Sequence, residues 1–265
     1  MEILPIIDYA SILISLFFFA LSSVYDFKTR EVTDKAWLLY GPLGLVLTVA
    51  RLFQDPSELF LTIISIVITI SISFGLFYFG LFGGADAKAI MCLGLTIPIP
   101  PSSFQPLMGY LHPVFPVVVV MVGFICSASV ALWFGFRNLL AYVSEGPKMF
   151  AGFEHESSWK KLTATITGYP VDMLKLRSTF YLYPIEELVQ NSEGTHRSFK
   201  LFFSAEADRD QMVSKLVDSF SAMGFQGRVW VTPGLPMLLF ILLGLVITLA
   251  LGDPVFSTVL RLAVR

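Results

Sequence analysis

The sequence predicts an all-α polytopic membrane protein: six transmembrane helices, with a small α/β cytoplasmic domain inserted before the last. Three observations lead there. Of 265 residues, 55% are hydrophobic and only 14% charged, and the mean hydropathy is +0.73, more than a soluble core of this size requires. Apolar stretches of about 20 residues, enough to cross a hydrocarbon slab of about 30 Å at about 1.5 Å per residue, recur along the chain. A polar block near residues 137–232 separates the last two of them.

The spans are expected at about Ile3 to Tyr25, Ala36 to Leu52, Leu59 to Leu81, Ala85 to Ile97, Val114 to Phe136 and Leu235 to Leu251. The fourth is short, bounded by Gly83-Gly84 before it and by Pro98, Pro100 and Pro101 after it. It reads as a short helix, with a re-entrant segment as the alternative. Residues 1–136 then form a membrane domain with helices one to five, 137–232 the cytoplasmic domain, and 233–265 the last helix and a short tail. Glu2 and Asp8 stand near the start without a positive n-region, so the first stretch reads as a retained helix rather than a cleaved signal.

Orientation follows from the basic residues. Lys28, Arg30 and Lys35 cluster after the first span, whereas Arg51 stands alone after the second, which places the N-terminus outside. The loops after spans one, three and five then face the cytoplasm. Eleven of the eighteen Lys and Arg residues fall between Arg137 and Arg228, on that same side. Eleven Asp and Glu residues balance them, the composition of a folded polar domain. Within it, Ser178–Tyr183, Ser198–Phe203 and Arg228–Thr232 read as strands. Ala205–Met223 reads as a helix with Met212, Leu216, Phe220 and Met223 on one face and Gly224 as its stop.

Several function classes are excluded. A net charge of -2 and no basic run interleaved with aromatics argue against nucleic-acid binding. His112, His155 and His196 are scattered without ligand spacing, so no metal is expected, and no cofactor is required. Cys92 and Cys126 sit in apolar runs as space-fillers. The polar domain carries no phosphate loop, nucleophile elbow or CxxC.

Asp26 and Asp86 are the residues that could carry chemistry. Asp26 ends the first apolar run in Val24-Tyr25-Asp26-Phe27-Lys28-Thr29-Arg30, and Asp86 opens the fourth in Phe82-Gly83-Gly84-Ala85-Asp86-Ala87-Lys88. The predicted topology brings both to one membrane face from different helices. Two carboxylates in reach of each other share a proton, which suits peptide hydrolysis: one accepts a proton from water, the other donates to the developing oxyanion. Gly83 and Gly84 would let a substrate backbone approach. The plain alternative makes Asp86 a helix cap and Asp26 an interfacial residue. Likewise, Arg30 and Lys88 also fit positive-inside anchors, Tyr25 an aromatic belt, and Asp8, with no evident partner, an interfacial site. A small transporter or channel using intramembrane carboxylates is the competing class. A third reading makes the helices a mere anchor.

These residues resemble the archaeal preflagellin peptidases, relatives of the type IV prepilin peptidases among the GxGD aspartyl proteases. The resemblance rests on Asp26-x-Lys28-x-Arg30-x-Val32 and on Gly83-Gly84-Ala85-Asp86-x-Lys88 before an apolar helix. Trp230-Val231-Thr232-Pro233 leading into Pro236 extends it. It implies that Asp26 and Asp86 are catalytic, with Gly83, Gly84, Ala85, Lys88, Lys28 and Arg30 binding substrate or supporting them. It implies as substrates precursors with class III signal peptides, namely archaellins and pilin-like proteins, whose short basic leader is removed at the cytoplasmic face of the cell membrane, among membrane lipids. Ala85 stands where the family name has its second glycine, and the cysteine-rich loop of bacterial prepilin peptidases is absent, which favours the archaeal branch. The Pro-Ala-Leu motif of presenilin-like proteins is also absent.

Overall fold

A computed structural model describes residues 3–109, 111–191, 194–202, 207–222, 224 and 227–263. The chain forms two compact units, residues 1–127 with 236–265, and residues 128–235. In the first, α1 (Ile3–Thr29), α2 (Asp34–Gln54), α3 (Leu59–Tyr78), α4 (Gly84–Thr96) and α9 (Met237–Leu251) occupy five of the predicted spans. The sixth is α5 (Phe115–Glu145), which begins in this unit and runs on past the expected end at Phe136.

Four of these helices, α1, α2, α3 with the 3-10 turn before it, and α5, are long and apolar enough to cross a membrane. With 13 and 15 residues, α4 and α9 are shorter than such a span. An apolar core of Phe18, Phe19, Ile90, Leu93, Phe115 and Leu238 lies at their centre, but α3 and part of α1 pack inside out compared with a water-soluble bundle. The buried residues of α3 are Thr62, Ser65, Thr69 and Ser73, at helical spacing, while Ile63, Val67, Ile70 and Phe74 point outward. On α1, Ser11, Ser15, Ser22 and Ser23 are buried and Leu13, Phe17, Leu21 and Val24 exposed. Lipid tails are as apolar as leucine, so membrane helices gain by facing one another with small and polar residues that permit close approach.

Short α4 lies between α2 and α3, and glycine makes that possible. A Cβ on Gly44 of α2 would sit 1.8 Å from Thr96 Oγ1, and one on Gly94 of α4 would sit 2.7 Å from Thr69 Cγ2. Both faces of α4 are therefore locked to their neighbours. The carbonyls at its C-terminal end, which no helix bond can satisfy, are met by side chains. Thr48 Oγ1 donates to Leu95 O at 2.7 Å. Just beyond, Ser65 Oγ donates to Pro98 O, and Arg51 Nη2 to Pro100 O at 3.2 Å.

Arg51 corrects two sequence expectations. It is buried, with Nη1 2.7 Å from Asp8 Oδ1 and Nε 2.7 Å from Glu58 Oε2. Asp8 is thus a fully buried partner, not an unpaired interfacial residue, and its other oxygen accepts from Ser102 Oγ and the Ser103 amide. A charge buried in an apolar bundle persists only when paired and hydrogen-bonded, and this network meets that requirement. It ties α1, α2 and the chain after α4 together at the end of the bundle away from Asp26 and Asp86. A second element beyond the sequence reading is α10 (Pro254–Ala263), which follows α9 after Gly252.

The second unit contains α6 (Ser158–Thr167), β1 (Tyr169–Asp172), α7 (Met173–Ser178), β2 (Leu182–Pro184), β3 (Glu186–Asn191), β4 (Gly194–Phe199), α8 (Arg209–Ala222) and β5 (Arg228–Pro233). Central β5 pairs antiparallel with β1, Val171 opposite Val229, and with β2, Tyr183 opposite Thr232. The β3–β4 hairpin forms a separate two-stranded sheet. Alternate residues of β5 feed two cores: Val229 and Val231 join Tyr169, Leu182, Leu216 and Phe220, whereas Trp230 joins Phe153, Ile185 and Phe199.

The predicted strand at Arg228–Thr232 is β5. That at Ser178–Tyr183 reaches β2 only at Leu182 and Tyr183; Ser178 ends α7, and Phe180–Tyr181 form a turn beside which Arg209 binds the carbonyls of Leu176, Thr179 and Leu182. That at Ser198–Phe203 overlaps only the end of β4, and Phe203 lies outside the described residues. The predicted helix is α8, although Ala205 and Met223 also lie outside them. Its buried stripe is Val213, Leu216, Val217 and Phe220, so Val213 takes the place expected for Met212.

Glu186 of β3 is buried against Arg197 Nη2 at 2.6 Å and the Trp230 amide at 3.3 Å, while its Oε1 has no hydrogen-bond partner. Burial pushes this carboxyl up to about 7, against the opposing pull of Arg197. An acid that holds its proton more tightly when folded stabilises the protein below its unfolded value of 4.5, and that contribution is lost as pH rises through about 7. Glu186→Gln should therefore flatten the fall in Tm that the wild type shows between pH 5 and pH 8; parallel curves would contradict this origin. In the membrane unit, Gly44→Val should lower stability by about 1–3 kcal/mol or prevent folding, because the added carbons overlap Thr96. Thermal unfolding of the detergent-solubilised protein measures it.

Candidate active site

The last turns of α1 and the first turn of α4 hold the two acids. The sequence reading ended the first span at Tyr25, but the helix continues to Thr29, so Asp26 lies inside it. Arg30 then closes the helix with φ of 59°, its amide donating to Asp26 O at 3.1 Å. In α4, Gly83 is the cap and Asp86 the third helical residue, and Asp86 Oδ2 accepts from the Gly83 amide at 3.3 Å. This is the return half of a capping box.

The two carboxylates come from different helices, and Asp26 lies close enough for its charge to act on Asp86. The Leu238 amide, at the start of α9, also interacts with Asp26. One face of α1 carries Ser22, Asp26 and Arg30 at four-residue spacing. Ser22 Oγ, Ser23 Oγ, Asp26 Oδ2 and Arg30 Nε are all buried without a hydrogen-bond partner. A group of unmatched polar atoms at the end of an apolar bundle can hold a water molecule or a peptide group, since leaving each unmatched costs about 1–3 kcal/mol.

The predicted supporting residues divide into two sets. Arg30 Nη1 is 3.9 Å from Asp26 Oδ1, and its charge reaches Asp86 as well. Gly83, Gly84 and Ala85 are half-buried around Asp86. A Cβ on Gly83 would make only ordinary contact, 3.5 Å from Asp86 Oδ2, so internal packing does not demand a glycine there. Lys28 is exposed, as is Tyr25. Lys88 points outward and pairs with Asp34 of α2 at 2.7 Å. The sequence reading missed Ser22, Ser23, Leu238 and Asp34. Ser22 was open to discovery through its four-residue spacing from Asp26; Leu238, distant in the chain and apolar, offers no such signal because only its backbone takes part.

Two carboxylates in mutual reach, one beside a cation, can relay protons to and from a water molecule and a carbonyl group. Comparison with known proteins bears on which reaction that is. Residues 12–135 match the type IV leader peptidase family, and residues 160–254 match the type II C-terminal region of archaeal A24 peptidases. The chain is 30% identical over 250 residues to a preflagellin peptidase of Methanococcus voltae, covering 91% of this chain and 94% of that one. It is 27% identical over 244 residues to the preflagellin peptidase of Methanocaldococcus jannaschii, covering 89% and 92%. A third, from Methanococcus maripaludis, is 24% identical over 244 residues, covering 89% and 93%. Both the helical bundle with its two acids and the later polar unit fall within these matches, and the chain belongs to the type IV leader peptidase family.

Proposed function

We propose that this protein is an intramembrane aspartyl endopeptidase that removes the short basic leader from archaellin or pilin-like precursors at the cytoplasmic membrane face. The observation that carries the reading is that Asp26 and Asp86, on different helices, lie near enough for the charge of Asp26 to act on Asp86, beside buried, unmatched polar atoms, in a chain of a peptidase family. In this reading α4 and α9 complete six spans, with the N-terminus outside.

The reaction follows from the two carboxylates. When they hold one proton between them, the ionised member accepts a proton from water as the oxygen attacks the scissile carbonyl, and the protonated member donates to the carbonyl oxygen. Collapse of the tetrahedral intermediate breaks the C–N bond, and a carboxyl returns a proton to the leaving amine. The water atoms end in the two products, so no metal or cofactor is called for. Helix geometry leaves the Gly84 and Ala85 amides without intrahelical acceptors, and the bare Gly83-Gly84 backbone admits an extended peptide beside Asp86.

Asp26→Asn and Asp86→Asn should each reduce cleavage of a co-expressed archaellin precursor at least about a thousandfold, with insertion unchanged. Asp26→Glu, which moves the carboxylate by about 1 Å, should cost about a hundredfold. Gel mobility of the precursor in isolated membranes reads both, and full processing by either Asn variant would end the proposal.

A further inference from the structure

Arg30 is the only non-glycine among the described residues with positive φ. Such a backbone disfavours a residue with a Cβ, and glycine would adopt it freely. Arginine at this position therefore has a cost that its side chain must offset. That side chain is only 20% exposed and turns back over the helix end toward Asp26. At 3.9 Å its guanidinium is within ion-pair range of the carboxylate but beyond hydrogen-bond distance. It acts on Asp26 through its field while Asp26 Oδ2 has no hydrogen-bond partner.

The surrounding charges make Arg30 the principal cation of the site. On α1, Lys28 is exposed. On α4, Lys88 is engaged by Asp34 of α2. From α9 the site receives the Leu238 amide, which carries no charge. Arg30 acts on both carboxylates, and among the described residues no other ion pair involves Asp26 or Asp86.

We infer that Arg30 is a positioning residue for the proposed reaction, whose permanent positive charge sets the pH range in which Asp26 and Asp86 share a single proton. The inference rests on the aspartyl peptidase reading. Two neighbouring acids in an apolar setting resist losing the first of their protons, and a cation at about 4 Å opposes that resistance. Arginine suits the role because it stays charged at every accessible pH and its weakly hydrated guanidinium tolerates partial burial. Without it the pair would hold both protons to higher pH, and the base that activates water would be missing in the acid range.

The test is the pH dependence of precursor cleavage by the full-length protein in proteoliposomes. Arg30→Gly removes the cation and relieves the backbone, so its Tm should match or exceed that of the wild type. Its acid limb should move up by about one pH unit, a roughly tenfold loss on that limb that vanishes at higher pH. Arg30→Lys should return the limb toward the wild-type position. An acid limb that stays in place in Arg30→Gly, or a uniform loss across the pH range, overturns the inference. Activity surviving in Asp26→Asn or Asp86→Asn would instead overturn the aspartyl reading, so the two failures are separable.

Discussion

The requirement that polar groups be satisfied inside the protein, because the surrounding phase offers them nothing, governs the membrane unit. Hydrocarbon cannot hydrogen-bond, so each hydroxyl, charge and helix-end carbonyl must find a partner within the bundle. This places the threonines and serines of α3 inside and most of its isoleucines and phenylalanines outside, and on α1 it buries Ser11, Ser15, Ser22 and Ser23 beside Phe18 and Phe19. It also explains how so short a helix as α4 survives: Thr48, Arg51 and Ser65 supply the donors that its C-terminal end and the following prolines need. The buried Asp8–Arg51–Glu58 network is the same rule applied to charge.

Against that background the exceptions stand out. At the opposite end of the bundle Ser22, Ser23, Asp26 and Arg30 present polar atoms with no partner. Trp37, Thr69, Thr248 and Ser257 of this unit also leave a polar atom unmatched, but those of Ser22, Ser23, Asp26 and Arg30 gather at one end of α1, and functional sites are where such local rules are broken. The proposed hydrolytic role uses them: water and a peptide bond bring the matching donors and acceptors.

Much of this was legible in the sequence because hydropathy and net polarity are summed over many residues. The six apolar helices, the polar unit and β5 emerged from such sums, and Asp26 and Asp86 stood out as lone acids at the borders of apolar runs. The misses share a different character. Asp8 and Arg51 are 43 positions apart, and no local pattern announces that one buried charge will meet another. The predicted strand at Ser178–Tyr183 is strand only from Leu182, and Arg209, distant in sequence, binds the carbonyls of Thr179 and Leu182 beside it. The β3–β4 hairpin, with Glu186, Glu187 and Arg197, is too charged to read as sheet until Arg197 is seen pairing with buried Glu186.

The anchoring of α4 at one end has a mechanical consequence. Its C-terminal end is held by hydrogen bonds to two neighbouring helices, whereas its N-terminal end is tied sideways by the solvent-exposed contact of Lys88 with Asp34, the kind worth less than about 1 kcal/mol. The helix is in effect a lever of about 20 Å with a fixed fulcrum. A tilt of about three degrees about that fulcrum carries Asp86 through about 1 Å, a displacement on the scale that changes rates a hundredfold. In the proposed reaction, a small rotation of this single short rod, without any reshuffling of the bundle, would change how the two carboxylates meet.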